Sequence, residues 1–410
     1  MGIVVNSVKK ILLLGGSAAQ IIAIKQAKEL GYYTVLCDYL PDNPGQYLAD
    51  RFYQVSTTDK EKVLQVAVEN KIDGIVAYSS DPAAPTAAYV ANKLGLQGMD
   101  YNVVRHFCEK NLFREFLKEH GFNVPASLEV TEPYQPAEEE LNQLRMPVIV
   151  KPTDSSGSKG IAVLYDLEHV QEALQEAKKY SRNGTLIIEE FIQRDHPYVI
   201  EAEVFAVRGK VCSWGLINSI RDTASNPLLP AAYSYPLDLP QKRKEIVRKE
   251  VSKLVAACGN VSGAFNIEMI IDKNDELFFL DAGPRNGGNM LPEFISMISG
   301  KNMVEATVKT AMGESGDLDI ELDGESGGFW GLGVLHASKD GMFEGVEYSE
   351  QAQKALIREE INKKPGDSVS VFMRCTDLVG LSFFRFETKE QMDQVMCNGL
   401  NTMRVKMYEN

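Results

Sequence analysis

Residues 147–160 read Pro147-Val148-Ile149-Val150-Lys151-Pro152-Thr153-Asp154-Ser155-Ser156-Gly157-Ser158-Lys159-Gly160. The apolar, β-branched run Val148–Val150 reads as a buried strand that Lys151 closes and Pro152 stops. A loop of small residues follows, and then a second strand, Ile161–Leu164. The phosphate loop GxxxxGK[ST] joins a strand to a helix, and that pattern is absent here. Taken alone, a Ser/Gly loop between two strands is a linker. Its meaning comes from what the rest of the chain sets around it.

Upstream, the first hundred residues alternate strand and helix. Lys10–Leu14, Thr34–Asp38, Phe52–Val55 and Gly74–Tyr78 read as strands; Ala18–Leu30, Lys60–Asn70 and Pro82–Leu94 read as helices. This rhythm implies a parallel sheet with helices on both faces. The turn Gly15-Gly16-Ser17-Ala18-Ala19-Gln20 fails the dinucleotide fingerprint GxGxxG, because Gln20 stands at the third glycine. An amphipathic helix runs from Glu109 to Gly121, and the Pro- and Glu-rich stretch Glu132–Glu140 reads as a connector.

Downstream, Leu167–Tyr180 and Lys242–Cys258 read as helices, and Thr185–Ile188 and Tyr198–Val207 as strands. Ala264–Ile271 and Glu276–Leu280 form a hairpin carrying Glu268 and, just past its end, Asp281. Pro292–Met312 is mostly helix, and the Gly-rich acidic stretch Gly313–Gly328 marks a boundary. Strands at Phe329–His336, Ser368–Arg374 and Leu381–Phe386 and a helix at Lys389–Asn398 make a small C-terminal α+β unit. The fold class is therefore a multidomain mixture of α/β and α+β.

Composition narrows the function classes. The chain has 410 residues, 44 % hydrophobic and 24 % charged, as expected of a folded globular protein. Its net charge of −14 argues against nucleic acid or an anionic membrane surface as partner. No stretch approaches the ~20 apolar residues of a membrane span, and Ile11–Leu14 reads as a strand rather than a signal-peptide core. The six Cys contain no CxxC pair and the five His no HxH or HExxH pattern. This points to the reducing cytoplasm and away from a zinc framework.

Five features in chain order fit one chemical demand: Lys110 at a helix start, Lys151, the Ser155–Gly160 loop, the strand end Ile188–Ile192, and Glu268 with Asp281 and Arg285. ATP phosphates need cations, backbone N–H donors and Mg2+. Two lysines on separate elements can grip different phosphates, and a glycine-bearing loop can bring its amides close. Two carboxylates on paired strands suit Mg2+, and an arginine beyond them can offset charge developing in phosphoryl transfer.

The order and spacing of these features over residues 8–312 resemble the ATP-grasp superfamily. The N-terminal part looks like the pre-ATP-grasp domain of biotin carboxylase and carbamoyl phosphate synthetase. The resemblance implies a pre-ATP-grasp domain at 1–105, an ATP-grasp domain at 106–312 with a mobile lid at about 125–195, and a C-terminal cap at 313–410. It implies that Lys110 and Lys151 contact ATP phosphates, and that Ser155, Ser156, Gly157, Ser158, Lys159 and Gly160 form the lid loop. Glu189, Glu190 and Ile192 would line the adenine pocket, Glu268 and Asp281 would hold Mg2+ (with Mn2+ as a substitute), and Arg285 would be catalytic. Glu201 would lie near the substrate. Gly287, Gly288 and Asn289 resemble the segment that opens a substrate-facing helix in carboxylate–amine ligases, and Arg221, Tyr233 and Tyr235 are further candidates for that pocket.

Two departures stand out. Asp281 replaces the family's usual Glu, and Gly283 stands where a metal-ligating Asn is common. The resemblance implies an ADP-forming ligase joining a small-molecule carboxylate to an amine through an acyl phosphate, with a homodimer expected. The alternatives are a bicarbonate-activating or phosphoribosylglycinamide-synthetase-like enzyme and a non-catalytic nucleotide-binding subunit.

Overall fold

The computed structural model describes residues 8–131, 135–155, 157–221, 226–316, 318–322 and 327–408. The first sheet is parallel, with strands β1 (Lys10–Leu14), β2 (Tyr33–Asp38), β3 (Arg51–Gln54) and β4 (Gly74–Val76) in the order β3-β2-β1-β4. Helices α1 (Ile21–Glu29), α2 (Lys60–Asn70) and α3 (Ala84–Leu94) connect and follow these strands. The unbroken apolar run of β1 has a direct cause. Leu12 and Leu14 pack into one core cluster, Ile11 and Leu13 into another, so both faces of the strand are buried.

Two helices come next, α4 (Tyr101–Cys108) and α5 (Lys110–Glu119). Nothing in the sequence reading anticipated α4. Its start is fixed by Asp100, whose carboxylate accepts the N–H groups of Asn102 and Val103.

A second sheet is antiparallel: β5 (Ser127–Thr131), β6 (Val148–Pro152), β7 (Ala162–Leu164) and β8 (Thr185–Glu190) in the order β5-β8-β6-β7. The short helix α6 (Glu138–Leu141) and α7 (Val170–Lys178) belong to this segment. Val170, Ala173, Leu174 and Ala177 of α7 pack with Val148, Val150 and Ile188 of the sheet.

The central sheet has nine strands. The first three are β9 (Val199–Val207), β10 (Lys210–Arg221) and β11 (Pro230–Tyr235); helix α8 (Gln241–Ala257) follows, then the hairpin β12 (Gly263–Ile271) and β13 (Leu277–Gly283). After helices α9 (Leu291–Ser299) and α10 (Met303–Ala311) come β14 (Ile320–Glu321) and β15 (Phe329–Leu335). The C-terminal part adds β16 (Gly341–Tyr348), α11 (Glu350–Ala355), β17 (Leu356–Ile361), β18 (Ser368–Val369), β19 (Gly380–Phe386), α12 (Lys389–Met396) and β20 (Met403–Met407). The path is β13-β12-β9-β10-β11-β15-β19-β17, with β14 beside β10. Helix α8 covers one face through Val247, Val251, Leu254 and Val255, and α9 covers the other through Phe294 and Ile295.

Two differences from the sequence reading concern this sheet. Strands β10 and β11 were not anticipated, because the middle of β10 is buried without alternation and carries Ser213, Asn218 and Ser219 in its interior. The C-terminal unit is also joined to this sheet. β15 pairs with β11 (Tyr233 opposite Leu332), and β19 and β17 extend the same sheet across residue 312. Among its described residues, the acidic stretch contributes β14 to the same sheet and buries Leu318, Ile320 and Leu322.

Candidate functional site

The hairpin register creates the first element of the site. Glu268 on β12 lies directly opposite Asp281 on β13, and on its other side opposite Glu201 on β9. Directly opposed side chains in a sheet have Cβ atoms about 4.5–5.5 Å apart, so the carboxylates of residues 268 and 281 share one space. A bulge after Glu268 shifts the hairpin register there. Two strand positions further, Asn266 lies opposite both Gly283 and Glu203.

Cations reach the same place from other elements. Lys110, the first residue of α5, brings Nζ to 3.6 Å from Asp281 Oδ2 and donates to the carbonyl of Ser155 at 2.8 Å. Its backbone N–H donates to Thr153 O at 2.8 Å, which ties the helix start to the residue just after β6. Lys151 donates to Glu189. The Glu189 carboxylate is also held bidentately by Arg114, at 2.9 and 3.1 Å, and Arg114 donates to Leu280 O at 3.0 Å. Burial opposes ionisation of Glu189, but Arg114 and Lys151 prevail and hold its carboxyl down to about 2. Burial draws Lys151 below the usual lysine range. Asp281 is likewise held below the ordinary carboxylate range against burial, by Lys110 and Arg285.

Arg285 lies two residues past the end of β13. Its guanidinium forms a fork on Asp81, Nε to Oδ1 at 2.6 Å and Nη2 to Oδ2 at 2.7 Å, and Nη1 donates to Asn266 Oδ1 at 3.0 Å. Asn266 in turn donates to Glu201 Oε1 at 2.7 Å and to Glu203 Oε2 at 3.2 Å. Burial pushes the Glu201 carboxyl up to about 8, reinforced by the charge of Glu268, and burial pushes Glu203 up to about 8 as well. Glu201 Oε2 is buried with no hydrogen-bond partner.

These groups face one cavity of about 1160 Å³. Its wall includes Lys110, Lys151, Ser155, Gly157, Ser158, Lys159, Glu189, Glu190, Ile192, Glu201, Glu268, Asp281, Arg285, Gly288 and Asn289. Ser156 lies outside the described residues. Two expected residues are not on the wall. Gly160 packs against α7, where a Cβ would come 2.8 Å from the Tyr180 ring, so it anchors the loop. Gly287 donates its N–H to both Glu203 oxygens, at 2.9 and 3.0 Å, and accepts from Ser79 Oγ at 2.7 Å. Of the weaker candidates, Arg221 and Tyr233 line the cavity, whereas Tyr235 is buried in the core.

Sequence reading missed Arg114 and Asp81. Arg114 lies on an amphipathic helix where a charge reads as solvated, and Asp81 is 204 residues from its partner. The C-terminal part also contributes Asn362, Lys363, Cys375, Thr376 and Leu378 to the wall.

Glu268 and Asp281 offer hard carboxylate oxygens on one wall, and no cluster of three or more ligating side chains occurs among the described residues. Mg2+ is commonly held by one or two carboxylates while phosphates and waters complete its shell, so the pair fits a metal that arrives with a nucleotide.

A family model described as "Carbamoyl-phosphate synthase L chain, ATP binding domain" matches residues 109–319, just over half of the chain. The chain belongs to this family, within the ATP-grasp superfamily. Among curated relatives, the C-terminal section of the carbamoyl phosphate synthase large chain from Methanopyrus kandleri is 24 % identical over 298 residues, covering 71 % of this chain and 54 % of the relative. The ATP-grasp chain therefore spans about half of that relative's length. Two solved structures share the fold. The L-amino acid ligase from Bacillus licheniformis superposes with a TM-score of 0.80 at 20 % identity, covering 98 % of this chain and 99 % of that one. The biotin carboxylase domain dimer of Hydrogenobacter thermophilus 2-oxoglutarate carboxylase, solved with MgADP, ADP and bicarbonate, gives 0.74 at 19 % identity, covering 98 % and 91 %. The mixed α/β architecture with several sheets is thus that of ATP-grasp proteins.

Proposed function

We propose that this protein is an ATP- and Mg2+-dependent ligase that joins a small-molecule carboxylate to an amine, releasing ADP and phosphate. The observation that carries the reading is convergence: Lys110, Lys151, Glu268, Asp281 and Arg285, from separate parts of the chain, all face one cavity.

In this reading a carboxylate oxygen of the acid attacks the γ-phosphorus of ATP, and the bond to the bridging oxygen breaks as ADP leaves. The amine nitrogen then attacks the acyl carbon, phosphate departs, and the nitrogen loses a proton. Lys110 and Lys151 hold phosphate oxygens. Glu189, Glu190 and Ile192 line the adenine end, and the 155–160 loop closes over the nucleotide with Lys159. Arg285 faces the reacting phosphate. Glu268 and Asp281 would hold Mg2+, which supplies charge neutralisation to the phosphates when bound. Glu201, Gly288 and Asn289 belong to the substrate side, with Gly287 as the support of that segment.

The proposed layout is a pre-ATP-grasp part at 1–105, an ATP-grasp part at 106–312 whose lid spans about 125–195, and a C-terminal part at 313–410 that shares the central sheet. The β5-β8-β6-β7 sheet falls within this proposed lid range, which supports the reading. We place the enzyme in the cytoplasm as a homodimer. Among the described residues, no helix is long and apolar enough to cross a membrane.

The test is an ADP-release screen over paired carboxylates and amines, with Asp281→Ala as control. Release that needs both partners and is lost in the control supports the ligase. ATP binding without turnover across the panel would overturn it in favour of a nucleotide-binding subunit.

A further inference from the structure

Four arginines line the cavity among the described residues: Arg114, Arg194, Arg221 and Arg285. Three have partners outside the proposed metal pair. Arg114 is held by Glu189, Arg194 by the carbonyls of His196 and Pro197, and Arg285 by Asp81. Arg221 differs, because its Nη2 donates to Glu268 Oε2 at 2.8 Å. Its resting partner is Oε2 of one of the two carboxylates proposed for Mg2+, so a divalent ion that takes this oxygen displaces the guanidinium from it.

Metal binding would leave Arg221 in place without its hydrogen-bonded counter-charge, with Glu201, the strand neighbour of Glu268, as its remaining nearby carboxyl group. Its Nη1 stays on Leu228 O at 3.2 Å, and its side chain is 10 % exposed. A buried guanidinium that has lost its hydrogen-bonded carboxylate is costly, and an incoming carboxylate matches its fork bidentately. Leu228 O also accepts from Ser158 Oγ of the lid loop at 3.4 Å, so the loop and the arginine share one acceptor.

We infer that Arg221 is the receptor for the acid substrate's carboxylate, parked on Glu268 until the metal and nucleotide arrive. Loading then precedes acid binding, because the carboxylate's receptor is released by the metal. The inference rests on the metal role proposed for Glu268.

The experiment compares wild type with Arg221→Met, Arg221→Lys and Glu268→Gln, each first checked by thermal melting. Mn2+ affinity in the presence of ADP is measured by calorimetry, and acetate binding with and without MgADP by saturation-transfer NMR. Glu268→Gln should weaken Mn2+ at least about tenfold. Arg221→Met should tighten it about five- to tenfold, since no cation then competes for Glu268. Arg221→Lys should stay near wild type for the metal, and it serves if the Met variant does not fold. The acetate signal should require MgADP in wild type and vanish in both Arg221 variants. Unchanged or weaker Mn2+ affinity in Arg221→Met, or an acetate signal that is absent, independent of MgADP or insensitive to Arg221, overturns this inference alone when Glu268→Gln has lost the metal. Full Mn2+ affinity in Glu268→Gln overturns the metal reading beneath it.

Discussion

Asp81 and Arg285, 204 residues apart, form a two-point ion pair at 2.6 and 2.7 Å. Asp81 follows the last strand of the parallel sheet, and Arg285 follows the acidic hairpin. The proposed catalytic guanidinium is thus aimed by a residue outside the matched family segment, with Asn266 as its second support. A fork held by a carboxylate has one planar orientation, which suits a group that must meet charge developing on a phosphate.

Asp81→Asn should lower ligase turnover by about tenfold or more while leaving MgADP affinity within about twofold, because Arg285 loses its orientation and the lysine grip is untouched. Asp81→Glu, which keeps the charge, should recover part of the loss. Steady-state ADP release and calorimetric MgADP titration on the same preparations check this. A parallel fall in nucleotide affinity would contradict it.

Gly283 is the point where the hairpin makes room for that pair. A Cβ there would lie 2.7 Å from Asp81 Oδ1 and 2.8 Å from Arg285 Cζ. Gly283→Ala should therefore destabilise the protein by about 1–3 kcal/mol, the usual range for overpacking. Urea unfolding measures it, and an unchanged midpoint would mean the pair moves aside freely.

The buried Glu189 predicts an acid limb of stability. Its folded-state carboxyl sits at about 2, against an ordinary value of 4.5. The contribution is therefore present above the ordinary value and is lost as pH falls from about 4.5 towards 2. The shift corresponds to about 3 kcal/mol. Glu189→Gln should lose about that much or more at pH 7, since Arg114 and Lys151 are left buried without a counter-charge. Its unfolding free energy should also vary less than wild type between pH 5 and pH 3. Denaturant unfolding across this range decides it.

The chain cut after residue 312 should not yield a well-behaved fragment. The cut strips β15 from β11 and leaves β11 as an unpaired edge flanked by buried apolar residues. Size-exclusion chromatography should find it aggregated. A monodisperse 1–312 fragment would show that the sheet tolerates ending at β11.

Much of this was readable in the chain because local physics wrote it there. The double-sided burial of β1 left a continuous apolar run, and the hairpin left a turn between two apolar strands with acids in fixed register. The site lysines stood at or next to element ends, and in the structure both are buried. What stayed hidden was non-local. Strand β10 is covered on both faces and interrupted by Asn218, whose amide is satisfied by Ser234 and Pro236, so its strand character exists only once those partners are folded against it. Asp81 carries no local signal at all; its meaning comes from Arg285. The continuity of the central sheet past residue 312 was masked by acidic, glycine-rich chain that looks like a domain boundary.

The cavity wall draws Asp81 from the first part of the chain and Asn362, Lys363 and Cys375 from the last. Recombining this protein with a relative by exchanging only residues 109–319 would transplant the proposed phosphate grip and orphan it from Asp81 and the rear wall. A working chimera would have to inherit all three stretches together, which makes this pocket a unit of inheritance larger than the segment that identifies its family.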